Sequence, residues 1–248
     1  MIHQTVYTSN IIRAVNAMDA LQHASMGEER MGLIYGEPGL GKTTAVKFLV
    51  NKTNGIFLRA NIAWTVTSFL QTLLKELDVE PGYRRAPMME DAIRELAMQP
   101  RPIIIDEADY LLRQIDMLDA LRDIYDHADI PVVMVMMEEA PRKLKAMATG
   151  SARGSRTPSF SRFTRRVTQW VEFQPVALDD VITAADELAE VAVQDDLCER
   201  ILDETGGNMG RVVIALGLVE AFARANGVAT VGLADYGERA LTHASRYA

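Results

Sequence analysis

The segment GEPGLGKT, Gly36 to Thr43, constrains the fold of this chain more than any other stretch. It fits the pattern G-x-x-x-x-G-K-[ST] without exception. Glycines here let successive backbone N–H groups turn inward around an anion where a Cβ would clash. An apolar run, MGLIY (31–35), precedes the segment, and a helical pattern from about Lys42 to Val50 follows it. That helix aims the positive end of its dipole at the same anion. Strand, glycine turn and helix in this order read as a phosphate-binding loop. Its residues are Gly36, Glu37, Pro38, Gly39, Leu40, Gly41, Lys42 and Thr43, with Thr44 beside them. Lys42 is expected to reach the β- and γ-phosphates of ATP, and the Thr43 hydroxyl to ligate Mg²⁺.

The pattern around the loop repeats. A helix over 10–21 precedes the first strand, and strands are predicted at 55–60, 102–106, 131–137 and 167–173. Helices fall between them at 66–77, 88–98 and 117–127. Apolar runs of this length alternating with helices indicate an α/β fold, a parallel sheet covered on both faces. Such sheets bind ligands at the carboxyl ends of their strands. The stretch ATGSARGSRTPSFS (148–161) reads as an exposed loop. After Pro175 the character changes to four helical patterns, near 179–193, 196–204, 209–225 and 233–246, with no convincing strand. Two domains are therefore expected, 1–175 and 176–248.

The second chemical element is PIIIDEAD, Pro102 to Asp109. Two acids suit the exposed carboxyl end of a strand better than its interior. Beside a phosphate loop, Asp106 would be an outer ligand of Mg²⁺ and Glu107 would orient and polarise the attacking water. The same acids would otherwise be a solvated strand end or a helix cap. Phosphoryl transfer also develops charge that a cation must meet. Arg211, in GGNMGRV (206–212), opens a helix of the second domain and is one candidate. Arg162, Arg165 and Arg166, in SRFTRR just before the last strand, are others, one of them acting in a neighbouring subunit.

Charge is unevenly distributed. The 248 residues sum to −8, yet Pro141 to Val171 holds eight basic residues and no acid. Residues 38–75 likewise hold Lys42, Lys47, Lys52, Arg59 and Lys75 without a carboxylate. An acidic chain with concentrated basic faces remains able to meet nucleic acid. No apolar run reaches the ~18 residues that span a bilayer, so no membrane partner is expected. The first residues lack the pattern of a signal peptide, and the single cysteine, Cys198, has no partner for an internal disulfide. A reducing cytoplasm fits both.

Phosphate loop, acidic strand end, arginine-bearing segment and a helical domain with G-N-x-x-R resemble the AAA+ ATPases over about residues 5–245. The resemblance implies a P-loop parallel sheet sandwiched by helices with a small C-terminal helical lid. Within that family, MGLIYGEPGLGKTTA, RPIIIDEADYL, PVVMVMMEEAPRKL and TGGNMGRVV look most like the DNA-transposition ATPases, the Mu B, TnsC and TniB group. This implies ATP-dependent assembly on double-stranded DNA as a helical filament or ring. It also implies delivery of that DNA to a transposase and disassembly on hydrolysis. Carried over, Gly36–Thr43 would hold phosphates, Asp106 and Glu107 would handle metal and water, and Arg211 would be the lid sensor. The family's polar sensor at the end of strand four falls near Met137 or Glu138, where this sequence has neither Asn nor Thr. About 30 residues precede the loop, too few for an added N-terminal DNA-binding domain.

DNA contact is thus expected from the ATPase domain itself. Arg59, Trp64 and Thr65 after strand two, and Arg84 and Arg85 in GYRRAP, are the candidates. Solvated arginines and a core tryptophan are the other reading of the same residues. Two rival functions share the motifs. One is a helicase loader of the IstB/DnaC type; the other is a nucleotide-switched module that binds only protein.

Overall fold

Five short apolar runs, bounded by turns and helices, become five parallel strands. The computed structural model describes residues 2, 4–25, 27–149 and 157–242, and of Thr157 and Pro158 the backbone only. In chain order the elements begin α1 (Ser9–Gln22), β1 (Met31–Gly36), α2 (Lys42–Thr53), β2 (Ile56–Arg59), α3 (Val66–Glu76) and α4 (Arg85–Met98). There follow β3 (Ile103–Asp106), a 3₁₀ turn (Ala108–Arg113), α5 (Ile115–Ala128), β4 (Val132–Met137), α6 (Ala140–Ala148), α7 (Thr157–Thr164) and β5 (Val167–Glu172). The remainder is α8 (Leu178–Leu188), β6 (Ala192–Val193), α9 (Asp195–Thr205), α10 (Met209–Asn226), β7 (Thr230–Val231) and α11 (Leu233–Tyr236).

The chain divides into two units. The larger comprises Arg13–Glu37 and Lys42–Glu172. Its sheet runs β2-β3-β4-β1-β5, every pair parallel. Alternation along each strand gives the sheet two buried faces. Met31, Leu33, Ile103, Ile105 and Met134 join Phe69, Leu70 and Leu73 of α3, Met88 of α4 and Leu121 of α5 in one core. On the other face α1 closes on the sheet, and a Cβ at Gly32 would lie 2.9 Å from Leu21 Cδ1.

The smaller unit comprises Met1–Ile12, Pro38–Gly41 and Phe173–Ala248. Val181, Leu197, Cys198, Ile201, Val212, Leu216 and Val219 form its core, with Val6 packed among them. Cys198 behaves as the small hydrophobe its helical setting suggests, and burial pushes its thiol up to about 11. Asp180 is a buried charge of this unit, 6% exposed. Its Oδ1 accepts from Ser9 N (2.7 Å) and Ser9 Oγ (3.0 Å), and Oδ2 accepts from Ala177 N (3.3 Å). One carboxylate thereby ties the start of α1 to the start of α8.

Three expectations need correction. Residues 157–161 of the predicted loop belong to α7, because Phe160 and Phe163 are buried in the core of the larger unit at helical spacing; residues 150–156 of that predicted loop lie outside the described residues. Two short strands, β6 and β7, pair in parallel where none was expected. Two residues carry no period that a sequence pattern can register. The last helical pattern stops at Tyr236, where Gly237 turns the backbone to φ 60°; residues 243–248 of that pattern lie outside the described residues. Among the described residues, no helix is long and apolar enough to cross a membrane.

Replacing Asp180 by Ala removes the acceptor of two N–H donors and a hydroxyl at a part-buried junction. We expect a loss of about 2 kcal/mol, read as a lower urea midpoint at unchanged slope. The exposed Asp179→Ala serves as control, expected within ~0.5 kcal/mol of the parent.

Candidate nucleotide site

Parallel register brings four strand ends to one edge of the sheet. Gly36, closing β1, lies opposite Met137 of β4, and Arg59, closing β2, lies opposite Asp106 of β3. Lys42 is the first residue of α2. Its Nζ donates to the carbonyls of Gly36 (2.5 Å) and Glu37 (2.7 Å), so the ammonium sits inside the curl of its own loop. Burial lowers its pKa, while Asp109, Asp106, Glu138 and Glu37 act in the opposite direction.

Thr43 Oγ1 donates to Asp106 Oδ2 at 3.1 Å. A hydroxyl and a buried carboxylate converge here, the donor pair that Mg²⁺ takes when phosphate oxygens supply further ligands. Among the described residues no cluster of three or more His, Cys, Asp and Glu is built to hold a metal. An ion at this place would therefore rest on Thr43 and Asp106 together with the nucleotide. Asp106 Oδ1 also accepts from the N–H of Glu107 (2.9 Å).

Glu107 stands in the left-handed region at φ 55°, ψ 32°, a conformation uncommon for a residue with a side chain. Arg59 holds its Oε1 through Nε (3.1 Å) and through Nη2. This hydrogen bond raises the Arg59 pKa. Asp109, the last acid of the run, accepts from the N–H of Met137 (2.9 Å). Burial raises its pKa, opposed first by that N–H. At the end of β4 the polar contact is thus made by a backbone N–H and a carboxylate from the 3₁₀ turn that follows β3. A search for a polar side chain at Met137 or Glu138 could not find it, although the third acid of DEAD was visible.

The tip of the loop belongs to the smaller unit. Gly39 (φ +85°) and Gly41 (φ +90°) adopt backbone that residues with a Cβ rarely enter. Asn208, the cap residue of α10, donates from Nδ2 to Pro38 O at 2.9 Å. Sequence reasoning singled out Arg211 of the same motif and passed over this asparagine. Arg211 lies in the first turn of α10 with its side chain exposed.

Residues 25–144 match the family model described as the AAA domain. The fold is that of a P-loop AAA+ ATPase. The Orc1 protein of Aeropyrum pernix, solved in complex with DNA, superposes at TM-score 0.59 and 14% identity, over 90% of this chain and 62% of that one. A Walker-type ATPase of Pyrococcus abyssi gives TM-score 0.63 and 15% identity over 92% and 71%. Domain III of the replication initiation protein DnaA from Thermotoga maritima gives 0.56 and 15% over 94% and 91%. The chain thus spans less than two thirds of the Orc1 protein. No curated protein matches the sequence.

Within the AAA+ fold the other expected residues fall into two groups. Arg162 and Arg165 are exposed on and just after α7. Arg166 is committed to Asp126 through Nε and Nη2, both at 2.8 Å, whereas Arg162 and Arg165 leave their side chains exposed. Of the residues assigned to DNA, Trp64 is 7% exposed and packs against Phe69 at 5.8 Å between ring centres. It belongs to the core and offers no ring to a base. Thr65 caps α3, accepting from Ser68 N (3.2 Å) while Ser68 Oγ accepts from Thr65 N (2.8 Å). Arg84 and Arg85 are exposed at the start of α4, Arg85 also donating to Thr67 Oγ1 (2.8 Å).

Trp64→Ala should therefore act on stability, at about 3–5 kcal/mol, through the cavity it opens. Chemical denaturation followed by circular dichroism measures this. A loss under 1 kcal/mol would return Trp64 to the surface.

Proposed function

We propose that this chain binds ATP with Mg²⁺ in the Gly36–Thr43 loop and hydrolyses it. We further propose that it assembles on double-stranded DNA, presents that DNA to a transposase, and leaves the DNA on hydrolysis. The observation that carries the ATPase reading is the Thr43 hydroxyl 3.1 Å from Asp106, one residue beyond Lys42. Mg²⁺ held there would neutralise charge on the phosphates.

The protein groups divide the remaining work. Backbone N–H groups of the loop bind phosphate oxygens, and Lys42 leaves the Gly36 and Glu37 carbonyls for the β- and γ-phosphates. Glu107 orients a water for attack on the γ-phosphorus and draws its proton as the bond to ADP breaks. Arg211, and Arg162 or Arg165 from a neighbouring copy, meet the charge that develops. Arg59 holds one oxygen of Glu107, Oε1, and competes with the water for that carboxylate. An exposed arginine at a sheet edge is also a ligand for a DNA phosphate. DNA that draws Arg59 away would free Glu107, coupling duplex binding to turnover.

The DNA reading is supported by the transposition-type motifs, by exposed Arg84 and Arg85, and by a fold shared with an Orc1 protein solved on DNA and with a replication initiation protein. Assembly repeats weak phosphate contacts along a duplex, so modest arginine sites add through effective concentration.

Phosphate release with and without duplex DNA tests the ATPase. Glu107→Gln should keep ATP binding and lose turnover by about 10²-fold or more. Arg59→Ala should raise turnover without DNA and flatten its stimulation by DNA. Stimulation by DNA that survives Arg59→Ala would separate the ion pair from regulation. Lys42→Ala with full turnover would sink the site.

Binding to random-sequence duplexes should need ATP and should weaken with salt at about −0.9 in log–log slope per phosphate contacted. Replacing Arg84 and Arg85 together by Ala should flatten that slope, read by fluorescence anisotropy. An unchanged slope clears both of phosphate contact.

A further inference from the structure

Three consecutive carbonyls of the phosphate loop accept hydrogen bonds from groups far away in sequence. Pro38 O accepts from Asn208 Nδ2 (2.9 Å), Gly39 O from the N–H of Gly210 (2.8 Å), and Leu40 O from Asn10 Nδ2 (3.5 Å). All six residues belong to the smaller unit. Each peptide here is trans and planar, so its C=O and its N–H point in opposite directions. Holding the carbonyls of Pro38, Gly39 and Leu40 on one side therefore aims the N–H groups of Gly39, Leu40 and Gly41 toward the other. Among the described residues no protein group accepts from those three N–H groups. They are the donors a phosphate would use.

Asn208 does two tasks with one amide. Its Oδ1 accepts from Arg211 N (3.2 Å), capping α10, while its Nδ2 holds Pro38 O. The exchange is reciprocal. Gly39 O satisfies the N–H of Gly210, one of the donors a helix start leaves without an intrahelical partner, and the helix in turn fixes the loop. The fit is close: a Cβ on Gly39 would lie 2.5 Å from Asn208 Oδ1. Serine at 208 would keep a capping oxygen but is too short, and lacks the N–H, to reach Pro38 O.

We infer that Asn208 is a positioning residue for the nucleotide's phosphates, acting through the Pro38 carbonyl to orient the loop amides, with Asn10 in the same role at Leu40. This rests on the reading of Gly36–Thr43 as the nucleotide site. It also makes nucleotide binding and the seating of α10 on the loop mutually stabilising, since whatever fixes one fixes the other.

The test uses the full chain and three variants: Asn208→Ser, Asn208→Ala and Asn10→Ala. ADP and adenosine affinities are measured by competition against a fluorescent ATP analogue, with unfolding midpoints taken without nucleotide. Asn208→Ser should lose about ten-fold in ADP affinity, keep its adenosine affinity, and unfold close to the parent midpoint. Asn208→Ala should lose ADP affinity equally and also unfold earlier, having lost the cap. Asn10→Ala should lose less ADP affinity, because its amide binds Leu40 O at 3.5 Å but Gln174 O at 2.8 Å, and should unfold earlier through loss of the Gln174 pairing. Unchanged ADP affinity in Asn208→Ser overturns the inference. So does an equal loss for ADP and adenosine, or a midpoint that falls as far in Asn208→Ser as in Asn208→Ala. A parent protein that binds neither ADP nor the analogue overturns the nucleotide reading itself, and this inference with it.

Discussion

Parallel pairing of β1 with β4 on one side and β5 on the other is the constraint on which the chemistry depends. A parallel ladder carries every strand in the same direction, so all carboxyl ends emerge at one edge. Gly36, Arg59, Asp106 and Met137 meet there although they are spread over a hundred residues of sequence. Antiparallel pairing of any one strand would send its terminal residue to the opposite edge. The two-faced apolar burial of β3 and β4 makes this arrangement the favourable one, because a parallel sheet covered on both sides leaves no polar face to solvate.

On that edge the side chains restrain one another. Lys42 rests on loop carbonyls, Thr43 on Asp106, Glu107 on Arg59, and the N–H of Met137 on Asp109. Lys42, Thr43 and Glu107 are thus each held by another group of the protein. Lys42 and Glu107 in particular must exchange a protein partner for a substrate one. The charge balance favours such exchange. Lys42 is half-buried among four acids, and Arg59 is exposed and loses little by moving to another anion. The left-handed backbone at Glu107 turns the chain out of β3, and there Arg59 meets the carboxylate.

The phosphate loop was legible because its chemistry is local. Gly39 and Gly41 take positive φ as the glycine pattern requires, and Lys42 and Thr43 follow on the first turn of a helix. The strands were legible for the same kind of reason, since their apolar runs are continuous. Misjudged elements share the opposite property. Helix α7 lies in a Ser- and Thr-rich stretch, and only burial of Phe160 and Phe163 in the core makes it a helix. Trp64 was open to two readings, DNA contact and core, and packing against Phe69 decides for the core. Arg166 looked equivalent to Arg162 and Arg165 until Asp126, forty residues away, claimed it.

Sequence by itself therefore determined the α/β class, the glycine turn between β1 and α2 and the identity of the acids at the strand end, because each depends on residues adjacent in the chain. Tertiary structure alone decided which partner each charged group takes. Arg59 with Glu107, Asp109 with Met137 and Asn208 with Pro38 are separated by 48, 28 and 170 residues. No local period or propensity encodes such pairs. They arise when the sheet register and the packing of α10 fix the backbone. Hydrogen-bond geometry, satisfied only within a few tenths of an ångström, then selects among the polar groups brought near.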